Sequence, residues 1–545
     1  MNPARYFHTL RHLRPVQFSG RVWHRINPAK PDLGAAPSLR ALSGLWVQPV
    51  ERSVSMLGGH AFRFLNVTGE VNSAADWNDP DQEKLWLYNL HYFDDLNAVG
   101  AAQRTAWHRA LMARWVAENR PGSGNGWEPY PVSMRLVNWI KWALAGNELE
   151  ASWVHSMAVQ ARWLLRHVEW HLLGNHLFAN AKALVFAGLF FQGDAAAEWL
   201  AQGLRILERE VSEQILPDGA HFELSPMYHA IILEDLLDLV NAAENTGAPV
   251  VGAAAAEWRA RAERMLVWLQ GMIHPDGDIA FFNDAALQIG ADYAALAAYA
   301  QRLGIGAGEP SLGVQECTHH VDSGYVRLER GSAVALLDVA RIGPDYLPGH
   351  AHADTLSFEL SLFGQRTVVN SGVSRYGLGA ERLRQRGTAA HSTVQVDGAD
   401  SSEVWGGFRV ARRARPFGLA VAGSADALTV TCSHDGYRRL PGAPVHRRSW
   451  RLDERSLQVS DVITGSCRTA VARYFLHPAV RVIGESEEGG RLQFPDGHQV
   501  RWSAVGGGAR IVPASWHPEF GVSTPSKVIE VVFERPEARF ELSWA

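Results

Sequence analysis

The stretch LGIGAGEPSLGVQE (303–316) divides the chain into two kinds of text. Rich in Gly and Pro and without helical period, it reads as a linker. Before it, LVNWIKWALAG (136–146), SWVHSMAVQARWLLRHVEWHLL (152–173), NHLFANAKALVFAGLFF (175–191), AAAEWLAQGLRILEREVSEQIL (195–216), SPMYHAIILEDLLDLVNAAENTG (225–247) and AAAAEWRARAERMLVWLQGMI (253–273) repeat apolar residues at helical spacing. Short breakers such as QGD, PDG and NTGAP separate them, so the helices pack as antiparallel neighbours in a bundle, solenoid or toroid. Ser225 suits an N-cap and Pro226 the first helical position. After the linker, SGYVRLERG, AVALLDVAR, TLSFELSLFG, QRTVVNSG, HSTVQVDG, LTVTCSHDGY, HRRSWRLDERSLQVSDVITG and VIEVVFERPEARFELSWA are short, alternating or β-branched, and bounded by Gly, Asp and Ser. They predict an antiparallel β-sandwich. The expected organisation is an irregular segment 1–80 with a few short elements, a helical domain 81–305 and a sandwich 316–545, a multidomain α+β chain.

Composition narrows the function. With 545 residues, 47% hydrophobic and 20% charged, the chain is globular and has more than one domain. A net charge of −5 argues against a general nucleic-acid binder. Three cysteines exclude a disulfide framework. No run of about 18 apolar residues predicts a transmembrane helix. The opening MNPARYFHTLRHLRPVQFSG is basic but lacks an apolar signal core, so cytoplasmic residence is expected, with a periplasmic one reached by another route as the alternative. The 20 Trp are unusual: aromatic faces stack on sugar rings, although core filling explains Trp equally well.

Four clusters carry candidate chemistry. Asn175 and His176 open a helical run and can present an amide and an imidazole from one helix end, where anions are favoured; the plain alternative is an N-cap and an ordinary helix residue. In DGAHFELSPMYH (218–229), Tyr228 can exchange a proton among His221, Glu223 and His229; the alternative is helix packing. In GHAHAD (349–354), His350, His352 and Asp354 fall on one face of an extended segment, and His391 can complete a metal site. Arg375, Arg382, Arg384, Arg386, Arg409, Arg412, Arg413 and Arg415 concentrate positive charge in an acidic chain, as an anionic substrate requires, or as solvated strand faces do. The chain has no Walker, Rossmann, HExxH, CxxC or GxSxG pattern.

GNHLFANAKAL, DGAHFELSPMYH, GHAHADTLSFEL, VVNSGVSRYG and RGTAAHSTVQVDG, in this order, resemble the heparinase II/III-like polysaccharide lyases. LYNLHYFDDL and WEPYPVSMRLVNW look like the branch found with bacterial exopolysaccharide or lipopolysaccharide assembly. The resemblance implies an (α/α) toroid followed by a β-sandwich, with the cleft between them. It implies β-elimination at a uronic acid: a base takes the C5 proton, and an acid protonates the departing O4. Carried over, Asn175 and His176 neutralise the carboxylate, with His176 the base for one epimer. Tyr228 is the general acid, and also the base when proton and leaving group share a face. His350 supports the carboxylate or Tyr228. Arg135, Glu223 and Arg386 become substrate contacts or ordering residues. The resemblance also implies a structural zinc on His352, Asn370 and His391, with Asn370 standing where the family has Asp and weakening the site. His352 and His391 bonding Asn370 without an ion is the alternative.

Two other functions fit the residues. A glycoside hydrolase would pair Glu223 with Asp218 or Asp284 at roughly 5–9.5 Å. A non-catalytic glycan-binding protein of surface-polysaccharide assembly would use the cleft without turnover. The expected partner in every case is a glycan, anionic and uronate-containing for the lyase.

Overall fold

The computed structural model describes residues 3–26, 30–41, 44–306 and 316–545; most of the linker expected at 303–316 lies outside the described residues. The helices expected before it form, and their order builds the toroid: Lys84–Tyr92, Thr105–Glu118, Pro129–Leu144, Ala151–Arg166, Gly174–Phe190, Asp194–Gln214, Pro226–Thr246, Gly252–Gly271 and Tyr293–Arg302. Gly174–Phe190 is mostly apolar and nearly all buried, the pattern of a helix with neighbours on every side. It packs tightly against Asp194–Gln214, since a Cβ on Gly203 would lie 2.8 Å from Ala181 O. The helix expected over 152–173 ends at Arg166. There the His167 ring stacks on Trp163 at 3.7 Å, and its Nδ1 bonds Trp163 O, capping the last turn.

The segment expected to be irregular contains two helices, Pro3–Leu10 and Pro15–Ile26, and a hairpin, Ala61–Phe64 with Val67–Glu70. These are the few short elements expected there.

The sandwich is two antiparallel sheets. One has eight strands, in the order Pro416–Gly423, Leu428–His434, Val445–Leu452, Ser456–Thr464, Glu537–Ser543, Gln499–Val505, Gly489–Gln493 and Arg481–Glu485. The other has nine: Gly507–Trp516, Thr524–Phe533, Ala470–Leu476, Gln365–Val369, Phe358–Leu362, Ala333–Asp338, Tyr325–Arg330 and Cys317–His320 in order, with Val394–Val396 beside Ala470–Leu476. Leu428–His434 and Ser456–Thr464 alternate buried and half-buried residues, as strands with one solvent face do. Ala333–Asp338 and Phe358–Leu362 are buried at every position. Their sheet is covered on both faces, by its partner sheet and by the helical domain, where Trp268, Met272 and Phe282 pack with Tyr325 and Leu336. The site lies along this junction.

The tryptophans go to the core. Trp77, Trp115, Trp139, Trp153, Trp199, Trp258, Trp268, Trp450 and Trp502 are fully buried, and no Trp is among the described residues lining the cleft below. Trp115 alone touches Trp127, Trp139 and Phe93, so truncating it would cost about 3–5 kcal/mol.

Candidate active site

A cleft of about 1360 Å³ runs between toroid and sandwich, and Asn175, His176, Glu223, Tyr228 and His350 all line it. Two helix starts deliver the toroid's share. Leu173 (φ 63°) and Leu224 (φ 58°) hold left-handed backbone just before Gly174–Phe190 and Pro226–Thr246. Such strain in a branched residue costs about 1–3 kcal/mol and persists only where packing enforces it. Here it turns the chain so that Asn175, His176 and Tyr228 emerge in first helical turns. Gly174 permits the approach of the opposite wall, because a Cβ there would meet Leu347 Cδ2 at 2.3 Å. Ser225 is the expected N-cap, and its Oγ accepts the Tyr228 N–H at 3.2 Å.

On one side of the cleft, beside Asn175, the Tyr130 ring lies 4.6 Å from that of His176. His176 Nδ1 faces Glu169 Oε1 at 3.2 Å. Glu169 is held in turn by Asn180, which donates to Oε2 (3.1 Å) and accepts the Glu169 N–H (2.8 Å). Burial disfavours the His176 cation, but Glu169, with Glu223 and Glu128 beyond, outweighs it and raises the pKa above the usual imidazole value. A cationic imidazole beside an amide is a carboxylate receptor.

On the other side, the Tyr228 ring lies over His350 at 3.9 Å, and Tyr228 Oη and Tyr376 Oη share a hydrogen bond of 3.0 Å. Burial first, then Tyr376 and Asp284, push the Tyr228 phenol well above its usual pKa. It is therefore a neutral proton donor in the resting site. His350 Nδ1 donates to Asp284 Oδ2 at 2.8 Å, which leaves the Nε2 lone pair free. Glu223 Oε2 lies 3.9 Å from that nitrogen. Glu223 has no side-chain hydrogen-bond partner among the described residues, and burial raises its pKa against the opposing pull of His350 and His176.

Asp284 anchors this side from beneath. It takes His350 on one oxygen, His352 Nε2 on the other (2.8 Å), and both ends of the Arg382 guanidinium. Burial alone would raise its pKa; Arg382 and the two imidazoles hold it far below the usual carboxylate range. A buried ion so fully bonded fixes geometry and is not free to react.

Two models of one family match the chain, "Heparinase II/III N-terminus" over 86–302 and "Heparinase II/III-like, C-terminal" over 315–545. The chain belongs to the heparinase II/III family. It is 24% identical over 351 residues to a heparin-sulfate lyase of Bacteroides stercoris, a match covering 61% of this chain and 50% of that protein. It is 27% identical over 461 residues to FtsZ-localized protein C of Caulobacter vibrioides, covering 79% of this chain and 73% of that one. The crystal structure of a heparinase III superposes with TM-score 0.69 at 19% identity, over 86% of this chain and 78% of the other. The chain spans about half the length of the heparin-sulfate lyases that head its curated relatives.

For this heparinase II/III chain, several sequence expectations change. Arg135 is not a substrate contact. It is fully buried outside the cleft, stacked on Trp115 at 3.7 Å, and donates to Gln160 Oε1 (3.0 Å), His91 O (3.2 Å) and Gly126 O (2.8 Å). Arg386 is likewise buried, donating to Ala351 O and Gly407 O, where it shapes the turn that carries His350. Of the arginine group, only Arg375 lines the cleft, and Glu83 pairs with it. Arg384 pairs with Glu381, Arg412 with Glu403, and Arg413 and Arg415 with Asp345. The hydrolase pairings fail too. Asp218 Oδ2 pins the 322–323 turn through the Ser323 N–H and hydroxyl (2.8 Å each), and Asp284 is consumed as described.

The metal group also shifts. Ligand atoms of His352, Asp354 and His391, all buried, lie within 4.8 Å of one another. Asn370, expected as the middle ligand, is spent elsewhere: its amide donates to Phe281 O (3.0 Å) and accepts from the Ser392 N–H (3.0 Å). Neither histidine bonds it. His352 Nδ1 and His391 Nε2 are 3.2 Å apart, and two imidazole nitrogens sharing a tetrahedral Zn²⁺ at about 2.0–2.1 Å stand roughly 3.3 Å apart. With Asp284 taking His352 Nε2–H, His352 Nδ1 offers a lone pair, and His391 Nδ1 is buried without a partner among the described residues. His352, Asp354 and His391 could thus hold a metal ion, and their nitrogen spacing is compatible with zinc. When bound, it would cross-link the turn below His350 to the 388–393 turn.

Sequence reasoning missed Tyr376, Tyr130 and Glu169, and misjudged Asp284. Tyr130 and Tyr376 lie in WEPYPVSM and VVNSGVSRYG, stretches noted only for their resemblance. No spacing rule links a residue at 376 to one at 228.

Proposed function

We propose that this protein is a polysaccharide lyase acting on a uronate-containing glycan by β-elimination. The observation that carries the reading is the meeting, in one cleft, of a carboxylate receptor (Asn175 and His176, whose cationic form Glu169 favours) with a neutral phenol (Tyr228) beside the His350 imidazole that Asp284 orients. With the uronate carboxylate on Asn175 and His176, charge building on the C5 carbanion is stabilised where it forms. The His350 Nε2 lone pair takes the C5 proton, and Tyr228 gives its phenolic proton to O4 as the C4–O4 bond breaks. Asp284 stabilises the resulting imidazolium through Nδ1. A compartment of cytoplasm or periplasm fits this chemistry equally.

Charge in the cleft favours a sparsely charged polymer. Seven carboxyl side chains line it (Glu51, Glu83, Asp94, Glu223, Asp278, Asp292, Glu519) against four permanent cations (Arg52, Arg63, Lys84, Arg375). A heavily sulfated chain would meet like charge here. The test is near-ultraviolet absorbance of the unsaturated uronate, with sulfated and unsulfated uronate polymers and acidic bacterial surface glycans as substrates. Rising absorbance on an unsulfated glycan, lost in Tyr228→Phe, is expected. Cleavage that leaves saturated ends would replace the lyase by a hydrolase, and tight glycan binding without turnover would favour the non-catalytic reading.

A further inference from the structure

Residues 3–26 form two helices, Pro3–Leu10 and Pro15–Ile26, laid on the body of the protein. One face of the second helix is docked. Gln17 is buried and donates to Tyr346 O at 3.2 Å, and Gly20 sits so close that a Cβ would meet His171 N at 3.1 Å. The first helix is held by Tyr6 against Trp405 (4.8 Å) and by the Thr9 hydroxyl, which accepts Trp405 Nε1–H at 3.1 Å.

The outward face is apolar and uncovered. Phe18, Val22 and Ile26, at i, i+4 and i+8, form one stripe, 45%, 58% and 66% exposed, and Trp23 beside them is 59% exposed. Phe7 and Leu10 are exposed on the first helix. So many large apolar side chains in so short a segment mark an interaction surface rather than scatter. Charge narrows the partner. Residues 1–31 hold five arginines and one lysine and no Asp or Glu, in a chain of net charge −5. A second copy of this face would bring two arginine-rich segments together, whereas an anionic lipid surface complements both the stripe and the charge.

We propose that this face seats the protein on an anionic bilayer surface. The axis of Pro15–Ile26 lies in the membrane plane, with Phe18, Val22, Trp23 and Ile26 in the boundary between headgroups and acyl chains and the exposed Arg11 and Arg21 among the headgroups. Twelve residues are too few to span, and among the described residues no helix is long and apolar enough to cross a membrane. The seat adjoins the cleft: His171 precedes the cleft residues Leu172 and Leu173, and Tyr346 precedes Leu347. A glycan carried on or near the membrane would therefore be presented to the cleft.

The test is co-sedimentation of the full chain with vesicles of phosphatidylcholine alone or with about 30% phosphatidylglycerol, a composition chosen to give the strong negative surface potential the arginines would sense. The protein should pellet with the anionic vesicles and stay in solution with the neutral ones, and added salt should weaken binding. The double variant Val22→Glu, Trp23→Glu should bind about tenfold more weakly with an unchanged unfolding temperature, because both side chains are exposed. Arg11→Glu with Arg21→Glu should weaken binding without altering the stripe. Failure of the wild type to pellet with anionic vesicles, or pelleting of the Glu variant like the wild type, overturns the proposal. A concentration-dependent dimer that the Glu variant abolishes, without vesicle binding, replaces the lipid by a second copy.

Discussion

Tyr228 and Tyr376 share one hydrogen bond, so replacing each by Phe separates structure from chemistry. The Tyr228 ring is buried and the Tyr376 ring half-buried in the cleft wall, and their hydroxyls are 3.0 Å apart. Either substitution removes one hydroxyl and leaves the other without that partner, a cost of about 1 kcal/mol to stability, the same for both. Their effects on turnover differ. If Tyr376 only orients Tyr228, losing the bond costs about 1 kcal/mol of activation free energy, roughly a fivefold fall in rate. If Tyr228 delivers the proton, Tyr228→Phe removes an acid worth about 10²–10⁴ in rate, or some 2.7–5.5 kcal/mol. The two variants should thus differ by at least about twentyfold in kcat on the same glycan, with little change in KM. The assay is initial-rate absorbance across substrate concentrations, with urea unfolding as the control for equal stability. Equal losses in the two variants, or more than about a tenth of wild-type rate in Tyr228→Phe, would refute the assignment of Tyr228 as acid.

Three further outcomes are expected. Because Glu169 raises the His176 pKa above its unfolded value, the pair's contribution to stability is complete below the unfolded pKa of about 6.5 and fades as pH rises through the folded one; Glu169→Gln should lower that pKa and bring the alkaline loss of activity to lower pH, and an unchanged His176 titration by NMR would contradict this. Purified protein should hold up to one zinc per chain by elemental analysis, lost in Asp354→Asn but kept in Asn370→Ala; the reverse pattern would return Asn370 to the site. Arg135→Leu should cost about 3 kcal/mol in urea unfolding, from three lost hydrogen bonds and the stack on Trp115, with KM for the glycan unchanged; a raised KM at unchanged stability would restore it to substrate binding.

The change of period around the linker, from helical spacing to alternation, was enough to separate toroid from sandwich, because each layer must bury a face and its apolar residues recur accordingly. Local chemistry was equally legible at Ser225–Pro226, where cap and first-turn preferences act within four residues. The family resemblance implied that Asn175, His176, Tyr228 and His350 share a cleft, and all four line it.

What each charged side chain does was a different matter. A sequence shows that Arg135, Arg382, Arg386 and Asp284 are charged, but an ion's role depends on what surrounds it. Burial against Trp115 makes Arg135 a structural cross-link, and Asp284 becomes the anchor of His350 because Arg382, 98 residues later, neutralises it. The same holds for the meeting of His352, Asp354 and His391, a group that could hold a metal, and for the Tyr228–Tyr376 bond across 148 residues. Periodicity and capping are short-range and survive in one dimension. Desolvation, ion pairing and the N···N distance between two imidazoles arise only when distant segments are packed together.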